Sequence, residues 1–190
     1  MAFQFNEESR KQLEFLLPRY PTRQSVLLPA LRLVENQQGH IDQAGMEYVA
    51  KLLDLAPAFV FGVYTFYSHY KREHEGKYVV QVCHTLPCAL RGACNVLATF
   101  SEALKLRAGE TDHDKRFTLK KVECLGSCSS APVVQINHDY FENLDNRKIG
   151  EIIAVLREDK TPPHISNGPT LEQGVRDYMP MVEACANKAR

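Results

Sequence analysis

Cys83, Cys88, Cys124 and Cys128 stand in two pairs, and their spacing is what could do chemistry. The first pair frames His84-Thr85-Leu86-Pro87, a C-x4-C; the second frames Leu125-Gly126-Ser127, a C-x3-C. Thiolates in two pairs suit a [2Fe–2S] cluster, in which each pair completes the tetrahedron of one iron. Four thiolates around one structural zinc also fall within its loose spacing range, so zinc stays open at this point, with iron–sulfur the weightier reading of the spacing. Other cysteine chemistries fit less well. No C-x-x-C is present, which argues against thiol–disulfide exchange. The plant-type C-x4-C-x2-C run fails, because Cys94 follows Cys88 after five residues. Paired spacing gives no reason for a nucleophilic cysteine, and four unliganded buried thiols would be an unusual coincidence.

Neighbouring residues add detail. Cys88 falls near a predicted helix start, where free amides favour a thiolate. Gly126 lets its loop turn and aim amides at sulfur. Arg91, Lys120 and Lys121 are candidate compensators for the cluster's negative charge. Cys94 sits four after Leu90 and three before Leu97, which predicts a small apolar residue on a buried helix face. Cys185 lies far from either loop, and both are expected to be non-ligands. His84 lies inside the first cysteine loop, and His69, His74, His113 and His138 sit in polar surroundings and are expected at the surface.

The elements that must position these residues change character along the chain. Helices are expected over residues 6–17, 25–37 and from an Asp42 cap through Met46, Val49, Ala50 and Leu53. Ile41 and Met46 suit a hydrophobic staple, and Gly39 ends the preceding helix. Residues 57–66 fit a short helix with Phe59, Val63 and Phe66 inward, although they also alternate like a strand. After Gly76 the pattern becomes a strand over 77–83. One helix follows from Pro87 with Ala93, Leu97, Phe100 and Leu104 on its inner face. A hydrophilic loop near 107–115 leads to strands at 117–123, 132–137 and 139–143. A helix capped by Asp145 then buries Ile149, Ile152, Ile153 and Leu156. This order predicts an α/β fold: a thioredoxin-like domain behind a small N-terminal helical bundle. Both cysteine pairs then begin where a strand ends. The expected boundaries are 1–72 for the bundle, 73–160 for the cysteine-bearing domain and 161–190 for an extension. A cis Ala131–Pro132 peptide is also expected at the turn into the third strand.

Composition narrows the function. The 190 residues carry 23 basic and 23 acidic side chains, 44% apolar and 24% charged residues, as a folded globular chain does. Zero formal charge argues against general nucleic-acid binding, which needs clustered cations. The uncharged, largely apolar stretch 55–67 falls short of the about 18 apolar residues of a membrane helix. The first residues show no apolar signal region, so an intracellular protein with reduced thiols is expected. No GxGxxG loop is present to cradle a dinucleotide.

Residues 76–78, 82–92 (Val-Cys-His-Thr-Leu-Pro-Cys-Ala-Leu-Arg-Gly) and 122–128 (Val-Glu-Cys-Leu-Gly-Ser-Cys) resemble the 24 kDa (E) subunit family of bacterial complex I, the NADH:quinone oxidoreductase. Residues 130–137 (Ser-Ala-Pro-Val-Val-Gln-Ile-Asn), 27–31 and 63–67 extend the likeness, which covers roughly 18–158. The resemblance implies a thioredoxin-like [2Fe–2S] domain with one cluster on Cys83, Cys88, Cys124 and Cys128. It also implies FMN and NADH on a partner flavoprotein, with which the cluster exchanges single electrons. The setting it implies is cytoplasmic, within the peripheral arm of a membrane-associated complex. The equivalent subunit of an NAD-linked hydrogenase or formate dehydrogenase shares the cysteine pattern. A zinc-stapled docking module is the alternative without redox chemistry.

Overall fold

The structure is a computed structural model and describes residues 3–160 together with Pro162, so Cys185 and the expected extension lie outside the described residues. The chain divides into two compact units, one ending at His74 and the other starting at Glu75.

The first unit holds four helices: α1 (Glu7–Leu16), α2 (Leu27–Gln38), α3 (Gln43–Leu53) and α4 (Pro57–Phe66). Capping sets their starts. The Asn6 side chain accepts from the Ser9 amide, and Asp42 accepts from the Gly45 amide at 2.8 Å. Gly39, with φ +82°, ends α2 in the left-handed conformation that glycine adopts freely. Leu31, Val34, Ile41, Val49 and Leu53 fill one core, and Gly45 lets α2 approach closely, since a Cβ there would meet Val34 Cγ1 at 2.5 Å.

Residues 57–66 are helical, but the inward face differs from the expected one. Val60 and Tyr64 are buried, whereas Phe59, Phe61 and Phe66 are exposed. Tyr64 decides the rotation of α4. Its ring fills the core while its hydroxyl donates to the Ile41 carbonyl at 3.1 Å, a polar partner that phenylalanine could not use.

The second unit is a four-stranded sheet in the order β2-β1-β3-β4. β1 (Tyr78–Cys83) pairs in parallel with β2 (Phe117–Val122) and antiparallel with β3 (Val134–Ile136), which pairs antiparallel with β4 (Asp139–Phe141). The β1–β2 connection holds two helices where one was expected: α5 (Leu86–Leu90) and α6 (Ala93–Leu104). Gly92, at φ +94°, separates them with a backbone turn that a single continuous helix cannot contain. The helix α7 (Asn146–Arg157) starts at Asp145, whose side chain accepts from the Lys148 amide. Val96 and Phe100 of α6 and Ile149, Ile152, Ile153 and Leu156 of α7 make one core with Val80, Val82, Leu119, Val134 and Phe141. These positions alternate along the strands, as a sheet packed against helices requires.

Residues 109–112 are more ordered than a hydrophilic loop. Gly109 donates to Leu119 O at 2.7 Å, Leu119 to Glu110 O at 3.0 Å and Asp112 to Phe117 O at 3.0 Å, so this segment lies along the outer edge of β2. The Ala131–Pro132 peptide is cis, as expected. No helix among the described residues is long and apolar enough to cross a membrane.

Candidate metal centre

Strand register brings the two cysteine loops to one end of the sheet. Cys83, the last residue of β1, is level with Val122, the last residue of β2, and Cys124 follows two residues later. The His84 amide donates to Val122 O and the Cys83 amide to Val133 O, each at 3.2 Å, fixing where β1 ends. Cys88 lies in α5, and Cys128 opens a 3-10 turn over 128–130. Cys83 and Cys88 are buried, packed with Ala93, Ala131, Val133, Leu125 and Tyr140. Cys124 and Cys128 are exposed, with their sulfurs 3.6 Å apart.

The four thiols sense one another's charge. Burial opposes ionisation of Cys83, yet hydrogen bonds from the Thr85 hydroxyl, the Leu125 and Thr85 amides and the Cys88 thiol outweigh it and lower its pKa. The Thr85 Oγ1 to Cys83 Sγ distance is 3.3 Å. Burial, together with the proton it shares with Cys83, pushes Cys88 up to about 11. The Gly126 amide, 3.4 Å from Cys124 Sγ, lowers the Cys124 thiol, with help from Cys128 and Thr85. The hydrogen bond to Cys124 raises Cys128 in turn. Each pair therefore holds one sulfur disposed to ionise and one that keeps its proton until a metal displaces it. Gly126, at φ +84°, supplies the turn that aims its amide at the sulfur.

Among the described residues, no three His, Cys, Asp or Glu side chains gather as a group that could hold a metal ion. Thiols in two pairs, one of each pair with a lowered pKa, are a donor set that fits a two-iron cluster.

Other expectations changed. Cys88 is not favoured as a thiolate by a helix terminus: α5 has only five residues, and burial dominates. Lys120 is committed to the buried Glu75 as an ion pair, so it is no compensator for the site. Arg91 donates to the Ala131 carbonyl at 3.4 Å, and Lys121 lines a groove with His84, Cys94 and Arg107. Cys94 is exposed instead of buried, because Gly92 breaks the helix on which the Leu90–Leu97 register was counted. His84 is half-buried, with Nε2 3.3 Å from Glu123 Oε1; His74 and His113 are exposed, whereas His69 and His138, expected at the surface, are half-buried.

Sequence reading missed several residues that touch the loops. Thr85 contacts Cys83; its hydroxyl inside the C-x4-C was the available signal. Tyr140 donates to the Leu125 carbonyl at 3.0 Å, and Glu142 accepts from Ser127. The alternation of Tyr140 and Glu142 about the buried Phe141 was the signal there.

Known proteins share this architecture. A family model described as thioredoxin-like [2Fe–2S] ferredoxin matches residues 13–157. The E subunit of the NADH-quinone oxidoreductase of Rickettsia conorii is 39% identical over 160 residues, covering 83% of this chain and 96% of the relative. The mitochondrial NADH dehydrogenase [ubiquinone] flavoprotein 2 of Dictyostelium discoideum is 37% identical over 161 residues, covering 83% of this chain and 65% of the relative. A solved NAD+-reducing [NiFe]-hydrogenase superposes with a TM-score of 0.63 at 19% identity, covering 70% of this chain and 23% of the hydrogenase chain, a likeness of fold. With the sheet order, the two cysteine loops and the family match in agreement, this chain belongs to the thioredoxin-like [2Fe–2S] ferredoxin family.

Proposed function

We propose that this chain is the electron-transfer subunit of an NADH–quinone oxidoreductase and binds one [2Fe–2S] cluster through Cys83, Cys88, Cys124 and Cys128. The observation that carries the reading is the pairing itself: two pairs of thiols on loops that leave adjacent parallel strands at the same end. A single zinc ion would need four sulfurs around one point, whereas two irons need them two by two. The names of the relatives support the oxidoreductase setting. When bound, the cluster accepts and gives up one electron at a time.

The chain's own contribution is ligation and tuning. The buried pair places two sulfurs in an apolar pocket, while the Gly126 amide and the Thr85 hydroxyl donate to sulfur and stabilise its charge. The exposed pair keeps one side of the site within reach of a partner. The partner we propose is a flavoprotein holding FMN and NADH, within the peripheral arm of a membrane-associated complex. Exposed Phe59, Phe61 and Phe66 on α4 support a docking role for the helical unit.

The test is direct. Purified full-length protein is expected to be red-brown, to contain iron and acid-labile sulfide in equal amounts and to give a [2Fe–2S] EPR signal on reduction. Cys→Ser replacement at any of the four positions is expected to lower cluster content or change that signal. A colourless protein that binds zinc stoichiometrically would overturn the assignment. Copurification with an FMN-containing protein tests the partner, and a hydrogenase or formate dehydrogenase component in its place would redirect it.

A further inference from the structure

The two cysteine pairs are held in different ways. Cys83 and Cys88 are fixed by burial among Ala93, Ala131 and Val133. Cys124 and Cys128 are exposed, on a loop that has left the β2 ladder at Val122. Apart from Leu125, which packs with Cys83 and Cys88, this loop has little burial, so hydrogen bonds must supply much of its hold.

Those contacts come from one short segment at the far edge of the sheet. Tyr140 and Glu142 project to the same side because Phe141, between them, points into the core. The Tyr140 hydroxyl donates to the Leu125 carbonyl at 3.0 Å. Glu142 Oε1 accepts from the Ser127 hydroxyl. Ser127 Oγ also lies 2.8 Å from Ser130 Oγ, just past Cys128. The Asn143 amide donates to Ser130 O at 2.8 Å, continuing the strap along the backbone. Leu125 and Ser127 lie between Cys124 and Cys128, so both side-chain contacts fall inside the C-x3-C.

We propose that Tyr140 and Glu142 form a two-point clamp on the Cys124–Cys128 loop and are positioning residues for the metal centre. The clamp rests on the assignment of the four cysteines as cluster ligands. Its hydrogen bonds go to the loop and not to a sulfur: Tyr140 sets the carbonyl of the residue after Cys124, and Glu142 sets the hydroxyl of the residue before Cys128. A hydrogen bond to a carboxylate is stronger than a neutral one, so the Glu142–Ser127 contact anchors the strap. Partners of this kind around metal ligands commonly govern how long the metal stays.

The experiment uses the full chain, loaded with cluster, and follows loss of visible absorbance to a ferrous chelator together with the EPR spectrum of the reduced protein. Glu142→Ala and Ser127→Ala are each expected to release iron roughly tenfold faster, with an altered EPR line shape. The double variant is expected to be no faster than Ser127→Ala alone, because that single change already removes the Glu142 contact. Glu142→Gln, whose amide oxygen accepts the same hydrogen bond, is expected to restore a near-native rate and line shape, which a role in folding alone would not predict. Tyr140→Phe is expected to accelerate release independently. Native release and an unchanged spectrum in Glu142→Ala, or single effects that add fully in the double variant, would overturn the clamp alone. A native chain that takes up no iron and sulfide would overturn the ligand assignment, and the clamp with it.

Discussion

Single cysteines in and around the candidate metal centre differ sharply in accessibility, and chemistry can read that difference. Cys94 is exposed beyond the Gly92 break, while Cys83 and Cys88 are each 2% exposed. In cluster-loaded protein, brief alkylation followed by peptide mass spectrometry is expected to mark Cys94 and leave the four proposed ligands unmodified; an unmodified Cys94 would contradict its placement. Gly76 gives a second residue-scale test. A Cβ there would lie 2.8 Å from both Arg116 C and Phe117 N, backbone atoms that cannot step aside, and the Gly76 amide donates to Thr118 Oγ1. Gly76→Ala is expected to destabilise the second unit by about 1–3 kcal/mol in urea titrations. The two cysteine loops were legible in sequence because the C-x4-C and C-x3-C spacings are local, each within a few residues. Glu142 and Tyr140 were not, because their contacts with Ser127 and Leu125 span 15 residues and exist only after the sheet has formed.

At the level of elements, local signals worked where the chain's own chemistry decides the outcome. Asp42, Gly39 and Asp145 mark helix ends by caps that act over a few residues. The face of α4 was misread because its apolar residues surround it, so periodicity could not choose, and the distant Ile41 carbonyl did. The α5–α6 break was missed because glycine in a helical pattern is silent about φ until the neighbouring loop is built. Asp42 supports a pH prediction. Burial opposes its charge, yet the Gln38 side chain, the Gly45 amide and nearby His40 together hold its pKa below the usual aspartate value. Such a group adds stability that is fully present above its unfolded pKa of roughly 4 and is lost as pH falls through the lower folded value. Asp42→Asn keeps the capping oxygen but loses the charge. The stability gap between native protein and Asp42→Asn is therefore expected to be constant near neutrality and to close below about pH 4. A gap unchanged at pH 3 would refute the assignment.

For the whole molecule, the described apolar side chains form separate cores: one in the helical unit, and two in the sheet unit that share no residue with it. Damage to one is expected to leave the other's chemistry readable. Leu31→Ala, at a fully buried position of the helical core, is expected to cost about 2–5 kcal/mol in that unit. The visible and EPR signatures of the loaded cluster are expected to stay native; a changed spectrum would mean the cores are not independent. A further consequence follows from the strip at residues 109–112. A six-residue strand at the rim of a sheet is an invitation to self-assembly, since its outer amides and carbonyls can recruit a strand from another molecule. Here that strip occupies Phe117 and Leu119 of β2, and the opposite rim, β4, is only three residues long. Both rims of the sheet, as described, are thereby blunted against growth. Shortening residues 109–112 is the change expected to turn a well-behaved protein into an aggregating one.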